Sequence, residues 1–179
     1  MYLLIEKNLI TRNSYLFLYS IFILFNIITG GIFMNNEENN IKVLDEVNKG
    51  CCMGMDAIDA ILEKAEGKEF KECLKKYYNK YEKISKKMND LYNDYSDEEI
   101  DETSKMEKTM TWYGISMRTM MDDSTSKLAE LIIQGANMGI IEGRKLLNHN
   151  KEVSTEVNHV VDEFVEMQEK MVEDLKDYL

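Results

Sequence analysis

Apolar residues recur every three or four positions along most of this chain, and 0 prolines interrupt them. That spacing places the apolar side chains on one face of an α-helix, so it predicts helices rather than strands. Turn-rich β folds need glycine and proline at many corners, and 9 glycines in 179 residues are too few for a sandwich or barrel. The sequence therefore predicts an all-α protein.

Five stretches carry this helical pattern, namely residues 41–66, 68–95, 104–121, 125–147 and 151–178. The second stretch has a heptad spacing, typical of helices that pack side by side. Its predicted seam is Phe70, Leu74, Tyr77, Tyr81, Ile84, Met88, Leu91 and Tyr95. Gly67 suits a tight connection, so the first two stretches predict an antiparallel hairpin. A second hairpin would complete a four-helix bundle, with 104–121 as an additional crossover helix.

The N-terminal segment, residues 1–33, is expected to be distinct from a helical domain at 34–179. Residues 15–33 carry no charge, which is typical of a transmembrane helix and would predict a single-pass, membrane-anchored protein. The alternative is an over-extended gene start. Back-translation of Gly30-Gly31-Ile32-Phe33 with A-rich codons gives a purine-rich ribosome-binding sequence just before Met34. We favour this alternative, which predicts translation from Met34 and a cytoplasmic protein.

Glycines spaced four apart occur in two of the helical stretches, as Gly50 and Gly54 and then as Gly135, Gly139 and Gly143. Residues 49–55 resemble 134–140, which suggests a duplicated hairpin related by a pseudo-twofold axis. Each interior glycine costs about 1 kcal/mol relative to alanine, so we expect a compensating contact. The favoured one is close helix packing, with the two glycine ridges facing each other. The alternative is room for a ligand or a partner's side chain beside Gln134 and Glu142.

Four motifs carry a resemblance to a known family: Lys49-Gly50-x-x-Met53-Gly54, Trp112-Tyr113-Gly114-Ile115, Gln134-Gly135-x-x-Met138-Gly139-Ile140-Ile141-Glu142-Gly143 and Lys145-Leu146-Leu147-Asn148. In these motifs the chain resembles an uncharacterised bacterial ferritin-like family, defined only as a domain of unknown function. The likeness runs from near Met34 to the end of the chain. It implies a ferritin-like four-helix bundle in which Trp112, Gln134, Met138 and Asn148 are motif residues. It implies no established activity.

Metal chemistry is the main function that such a bundle could host. Di-iron sites of ferritin-like proteins take a Glu from each of two helices and a Glu-x-x-His from each of the other two. Of the 2 histidines, only His159 follows a Glu at this spacing, Glu156, and its neighbours Val157 and Val160 turn it outward. We therefore expect no complete di-iron site and no cofactor. The alternative is a carboxylate-rich iron or manganese site with Glu142, which lies in an apolar, glycine-rich face, or with Glu156 and His159.

Other chemistry is not expected. A net charge of −11 argues against nucleic-acid partners, because phosphate contacts need clustered Lys and Arg. The 3 cysteines fit neither a disulfide framework nor a zinc site and are expected to be buried, inert thiols. The 13 methionines fit core filling better than copper binding. We therefore expect a non-catalytic protein with a binding or structural role, acting as a homo-oligomer or with a protein partner. The alternatives are a metal-binding oxidase and a membrane-anchored helical interaction module.

Overall fold

A computed structural model describes residues 36–96 and 122–179. Within these ranges the chain is all-helical and contains no β-strand, so the predicted all-α class is confirmed for this part of the protein. The helices are α1 (36–62), α2 (Lys68–Tyr92), α3 (Thr125–His149) and α4 (Thr155–Leu175), and a 3-10 turn (Lys176–Tyr178) follows α4. The predictions for residues 1–33 and for the helix 104–121, including Trp112, lie outside the described residues.

The ends of the helices follow local sequence signals. Gly67 has φ 76°, a conformation that glycine adopts without strain, and α2 begins at the next residue. Ser124 and Ser154 precede α3 and α4, and each hydroxyl accepts a hydrogen bond from the backbone N–H three residues later. This capping satisfies a donor that the first helical turn leaves unpaired.

The predicted boundaries are wrong at two helix starts. The last stretch was expected to be helical from residue 151, but α4 begins at Thr155 because Ser154 is its N-terminal cap. Within the described residues α1 extends back to residue 36, before the predicted start at 41, and it ends at 62 rather than 66. The apolar pattern predicts which residues are buried, whereas the boundaries depend on backbone hydrogen bonds near each end.

Contacts between side chains fix the direction of α1 against α2. The Ser85 hydroxyl of α2 donates to Asn48 Oδ1 of α1 at 2.7 Å. Gly54, six residues after Asn48 in α1, lies against Tyr81, which comes four residues before Ser85 in α2. The two helices are therefore antiparallel and form a hairpin.

The same reasoning orders the other helices. Lys87 of α2 pairs with Glu163, near the start of α4, and Lys76 pairs with Asp174, near its end. In α3, Gly139 lies against Gln168 and the later residue Arg144 pairs with the earlier residue Asp162. Helix α4 is thus antiparallel to both α2 and α3. Since α2 and α3 point the same way, the end of α2 and the start of α3 lie at opposite ends of the four helices. A 25-residue helix such as α2 spans about 37 Å.

The four helices, here called the bundle, share one apolar core. The core includes every predicted seam residue of α2 up to Met88, while Leu91 and Tyr95 are half-buried against it. Its fully buried side chains include Leu44, Ile58, Leu74, Tyr77, Leu128, Met171 and Leu175. Apart from the hydroxyl-bearing tyrosines, the buried polar residues in the described ranges are Asn40, Asn48 and Gln168.

Candidate functional site

The residues considered as metal ligands lie on the surface. The Glu142 side chain is 66% exposed and pairs with Lys145 at 2.7 Å. Glu156 and His159 are exposed on α4, between buried valines. This outward position agrees with the spacing of the apolar residues around His159, and it leaves the pair facing solvent.

These three residues are also too far apart to share an ion. Gly143 packs on Val165, so Glu142 lies near the level of Val165 on α4. Glu156 is nine residues earlier on that helix, about 13 Å away at 1.5 Å per residue. No group of three or more His, Cys, Asp or Glu side chains that could hold a metal ion occurs in residues 36–96 and 122–179.

The glycines of α1 receive large side chains from other helices. A Cβ atom built on Gly54 would lie 2.5 Å from Cζ of Tyr81 on α2. One built on Gly50 would lie 2.9 Å from Cζ of Phe164 on α4. Both distances are well inside van der Waals contact, so these helices approach only because the two glycines have no side chain.

Two glycines of α3 likewise leave room for side chains of α4. A Cβ on Gly139 would overlap the Gln168 amide, and one on Gly143 would overlap Val165. The expectation that the two glycine ridges face each other is therefore wrong in this detail. The nearest atoms belong to side chains of α2 and α4, which fill the hollows. Gly135 differs from the other four, because nothing lies within 4 Å of its built Cβ.

The centre of the bundle holds a pair of polar residues. The Tyr81 hydroxyl donates to Gln168 Oε1 at 3.2 Å, and both side chains are almost completely buried. Tyr81 packs on Gly54, and Gln168 packs on Gly139, which lies 85 residues after Gly54. This pair, with its two glycines, therefore marks one level at which all four helices meet. We call it the central level.

The polar groups near the central level are neutral. Burial, and to a lesser extent Cys51, raises the pKa of Tyr81, so its hydroxyl stays protonated. Burial likewise raises the pKa of the Cys51 thiol well above its ordinary value, as expected for an inert cysteine. Cys51 and Cys52 are buried, Cys73 is half-buried, and none of these three described residues forms a disulfide. Gln168 Nε2 is buried without a hydrogen-bond partner.

Sequence reasoning missed Gln168 and treated Tyr81 only as a seam residue. A signal for both exists in the pattern of buried residues. Adding 87 to the buried positions of α2 gives buried positions of α4: Leu74 leads to Val161, Tyr77 to Phe164 and Tyr81 to Gln168. A polar residue at a position equivalent to a buried tyrosine is the indication that Gln168 faces inward.

Three apolar side chains are exposed on the outer faces of α1 and α3. They are Met53, 47% exposed, Met138, 69% exposed, and Ile141, 54% exposed. Met53 and Met138 immediately precede Gly54 and Gly139, so both lie at the central level. Of the other motif residues, Gln134 is exposed and donates to Glu130 at 2.7 Å, and Asn148 is exposed.

A surface depression of about 360 Å³ lies where the start of α2 meets the end of α4. It is lined by Glu72, Cys73, Lys76, Asp174, Asp177 and Tyr178. Asp174 accepts hydrogen bonds from Lys170, from Lys76 at 2.7 Å and from the Tyr77 hydroxyl at 2.6 Å. These donors, Lys170 first, hold the pKa of Asp174 well below its usual value. With its oxygens engaged, Asp174 joins α2 to α4 and has a structural role.

Comparison with known proteins gives no relatives: no protein-family model, curated protein or solved structure matches this chain. Among the helices of the described ranges, none is long and apolar enough to cross a membrane.

Proposed function

We propose that this chain is a ferritin-like helical bundle that works by binding protein surfaces, first of all a second copy of itself, rather than by catalysis. The observation that carries the proposal is the composition of the central level. Tyr81 and Gln168 fill it and Phe164 packs beside them, and no Asp, Glu or His of the described residues is buried as a whole, although one Asp56 carboxylate oxygen is.

A ferritin-like fold is supported by topology as well as by the motifs. Ferritin-like bundles contain two antiparallel hairpins and one long crossover connection. Here α1 with α2 and α3 with α4 form the hairpins, and α2 and α3 are parallel, as are the helices on either side of such a crossover. A duplicated hairpin would account for Gly54 and Gly139 lying at one level.

The residues do not fit a di-iron centre. Such a centre needs several carboxylates and two histidines that project inward from four helices. The inward polar side chains of the described helices are instead two asparagines and one glutamine, which are neutral. An iron or manganese site around Glu142 stays the alternative, and it would have to form on the surface.

A binding role is supported by what the bundle exposes. Met53, Met138 and Ile141 display apolar surface, although these helices bury apolar side chains elsewhere. Met138 and Ile141, three positions apart, are neighbours on one helix face, and contiguous exposed apolar residues often mark interaction sites. The cysteines, all in the described residues, form no disulfide, which fits the reducing environment of the cytoplasm, the location we propose. A membrane-anchored interaction module would need residues 15–33, outside the described ranges.

Metal content tests this proposal. The full chain, expressed with iron and manganese supplied, is purified by gel filtration and measured by elemental mass spectrometry. We expect no bound iron or manganese. About two ions per chain, as in a dinuclear centre, would overturn the proposal in favour of the oxidase alternative. In that event Glu142→Ala tests the surface site, because loss of metal in this variant would assign the ligand.

A further inference from the structure

Helix α3 presents an apolar centre on its outer face. Gln134, Met138, Ile141 and Lys145 follow one another at steps of four, three and four, so they lie along one face of the helix, and all are exposed. The opposite face carries Leu128, Ile132 and Ala136 into the core. Met138 and Ile141 are therefore large apolar side chains in the middle of a polar, solvent-facing stripe.

The arrangement of this stripe is self-complementary about Met138. Ile141 lies three positions after Met138, and Gln134 lies four positions before it. At about 100° per residue, both lie to the same side of Met138 around the helix. If α3 of two copies packs antiparallel with Met138 at the centre, each Ile141 meets the other copy's Gln134. The same contact is then made twice, as twofold interfaces require.

Charge follows the same symmetry. Lys145 lies seven positions after Met138 and Glu130 lies eight before it, so the antiparallel arrangement brings Lys145 of one copy near Glu130 of the other. Within one copy these residues pair locally, Lys145 with Glu142 and Glu130 with Lys127, each at 2.7 Å. Such exposed pairs are worth little, so they can exchange partners readily.

Local charge balance also favours a second copy as the occupant. The chain carries a net charge of −11, so two copies repel each other over most of their surfaces. Along the α3 stripe, however, Lys127 offsets Glu130 and Lys145 offsets Glu142. This face is therefore one on which two acidic molecules can approach with little repulsion.

We propose that two copies of this chain associate through an antiparallel contact between their α3 helices, centred on Met138, with each Ile141 packed against the partner's Gln134. The inference rests on the proposed function, which it deepens by naming the surface and its geometry.

Cross-linking tests the geometry directly. In the full-length Met138→Cys variant, the two new thiols would lie beside the twofold axis. We expect a short bis-maleimide reagent to give a covalent dimer. His159→Cys, on an exposed face of α4, is the matched control, and wild type controls for the half-buried Cys73. A dimer from the control variant or wild type as abundant as that from Met138→Cys would overturn the proposal.

Charge exchange tests the register. Lys145→Glu should weaken association at low salt, because it places two acidic groups opposite each other, and Lys145→Glu with Glu130→Lys should restore it. Ile141→Lys should weaken association about tenfold or more, because it removes an apolar side chain from the centre of the contact and buries a charge there. Circular dichroism checks that these surface variants keep the wild-type helix content.

The outcomes separate this inference from the proposed function. A wild-type dimer that neither cross-links through Met138→Cys nor responds to Ile141→Lys overturns the α3 contact and leaves self-association standing. A wild-type chain that is monomeric at every concentration overturns both. The Met138→Cys thiol of the monomeric protein must also react with maleimide. If it does not, other residues of the same chain, such as 97–121, cover this face, and the α3 contact is overturned.

Discussion

Alanine in place of Gly54 should destabilise the protein, although alanine is the better helix former. The added Cβ would lie 2.5 Å from Tyr81 Cζ, compared with about 3.5–4.0 Å for carbon atoms in contact. The ring must therefore move by about 1 Å. It is 3% exposed and packs beside Phe164, with ring centroids 6.2 Å apart, so it has little room to move.

The magnitude follows from three contributions. Overpacking a core costs about 1–3 kcal/mol. Loss of the hydrogen bond from Tyr81 to Gln168 costs about 1 kcal/mol more. Against these, alanine gains about 1 kcal/mol of helix propensity. We therefore expect Gly54→Ala to lower the free energy of unfolding by about 1–3 kcal/mol, measured by urea titration at low protein concentration.

Gly135→Ala is the matched control, because the same change is made where nothing lies within 4 Å. It should raise the free energy of unfolding of the monomer by about 0.5–1 kcal/mol. Combining Gly54→Ala with Tyr81→Leu should cost less than the sum of the two single changes, since a smaller side chain removes the clash. A Gly54→Ala variant as stable as Gly135→Ala would refute the packing of the central level.

Three further predictions concern the interior of the bundle and the surface depression at one of its ends. Tyr81→Phe should lower the free energy of unfolding by about 1–3 kcal/mol, because it leaves the Gln168 amide buried without a partner, and adding Gln168→Met should recover much of the loss in urea titrations. The pKa of Asp174 is lowered in the folded state, so its stabilising effect is complete above about pH 4 and is lost as the pH falls below that value. Asp174→Asn should therefore be less stable at neutral pH and should lose less stability on acidification, as measured by thermal unfolding across that range. A thiol reagent should modify half-buried Cys73 before buried Cys51, which peptide mapping would show.

The helical periodicity predicts the fold class and most of the core because burial repeats with the helix. Every predicted seam residue of α2 up to Met88 is buried, and so are Val157 and Phe164 of α4. The start of α4 could not be predicted in this way, because it depends on the hydrogen bond that the Ser154 side chain accepts. Burial patterns carry no information about that bond.

The central level could be predicted only in part. The glycine spacing indicates that helices approach closely, but it does not show which side chains enter the hollows. Gln168 is polar, and a hydrophobic pattern assigns polar residues to the surface. It is buried because Gly139 leaves room for its amide and the Tyr81 hydroxyl supplies a hydrogen bond. Both conditions come from other helices, so they depend on the tertiary structure.

The position of Glu142 shows a similar limit. The sequence places it within an apolar, glycine-rich stretch, which made it the candidate ligand of the carboxylate-rich metal site. Adjacent residues on a helix point about 100° apart, so burying Gly143 against Val165 turns Glu142 toward solvent. Its pairing with Lys145 follows from the same rotation.

The central claim is that this bundle acts by association with a second copy rather than through a metal centre. Sedimentation equilibrium of the full chain, over about a hundredfold range of protein concentration, tests it most directly, because association depends on mass action. We predict a reversible shift from the monomer mass toward twice that mass as concentration rises. A single monomer mass across the whole range would contradict the account.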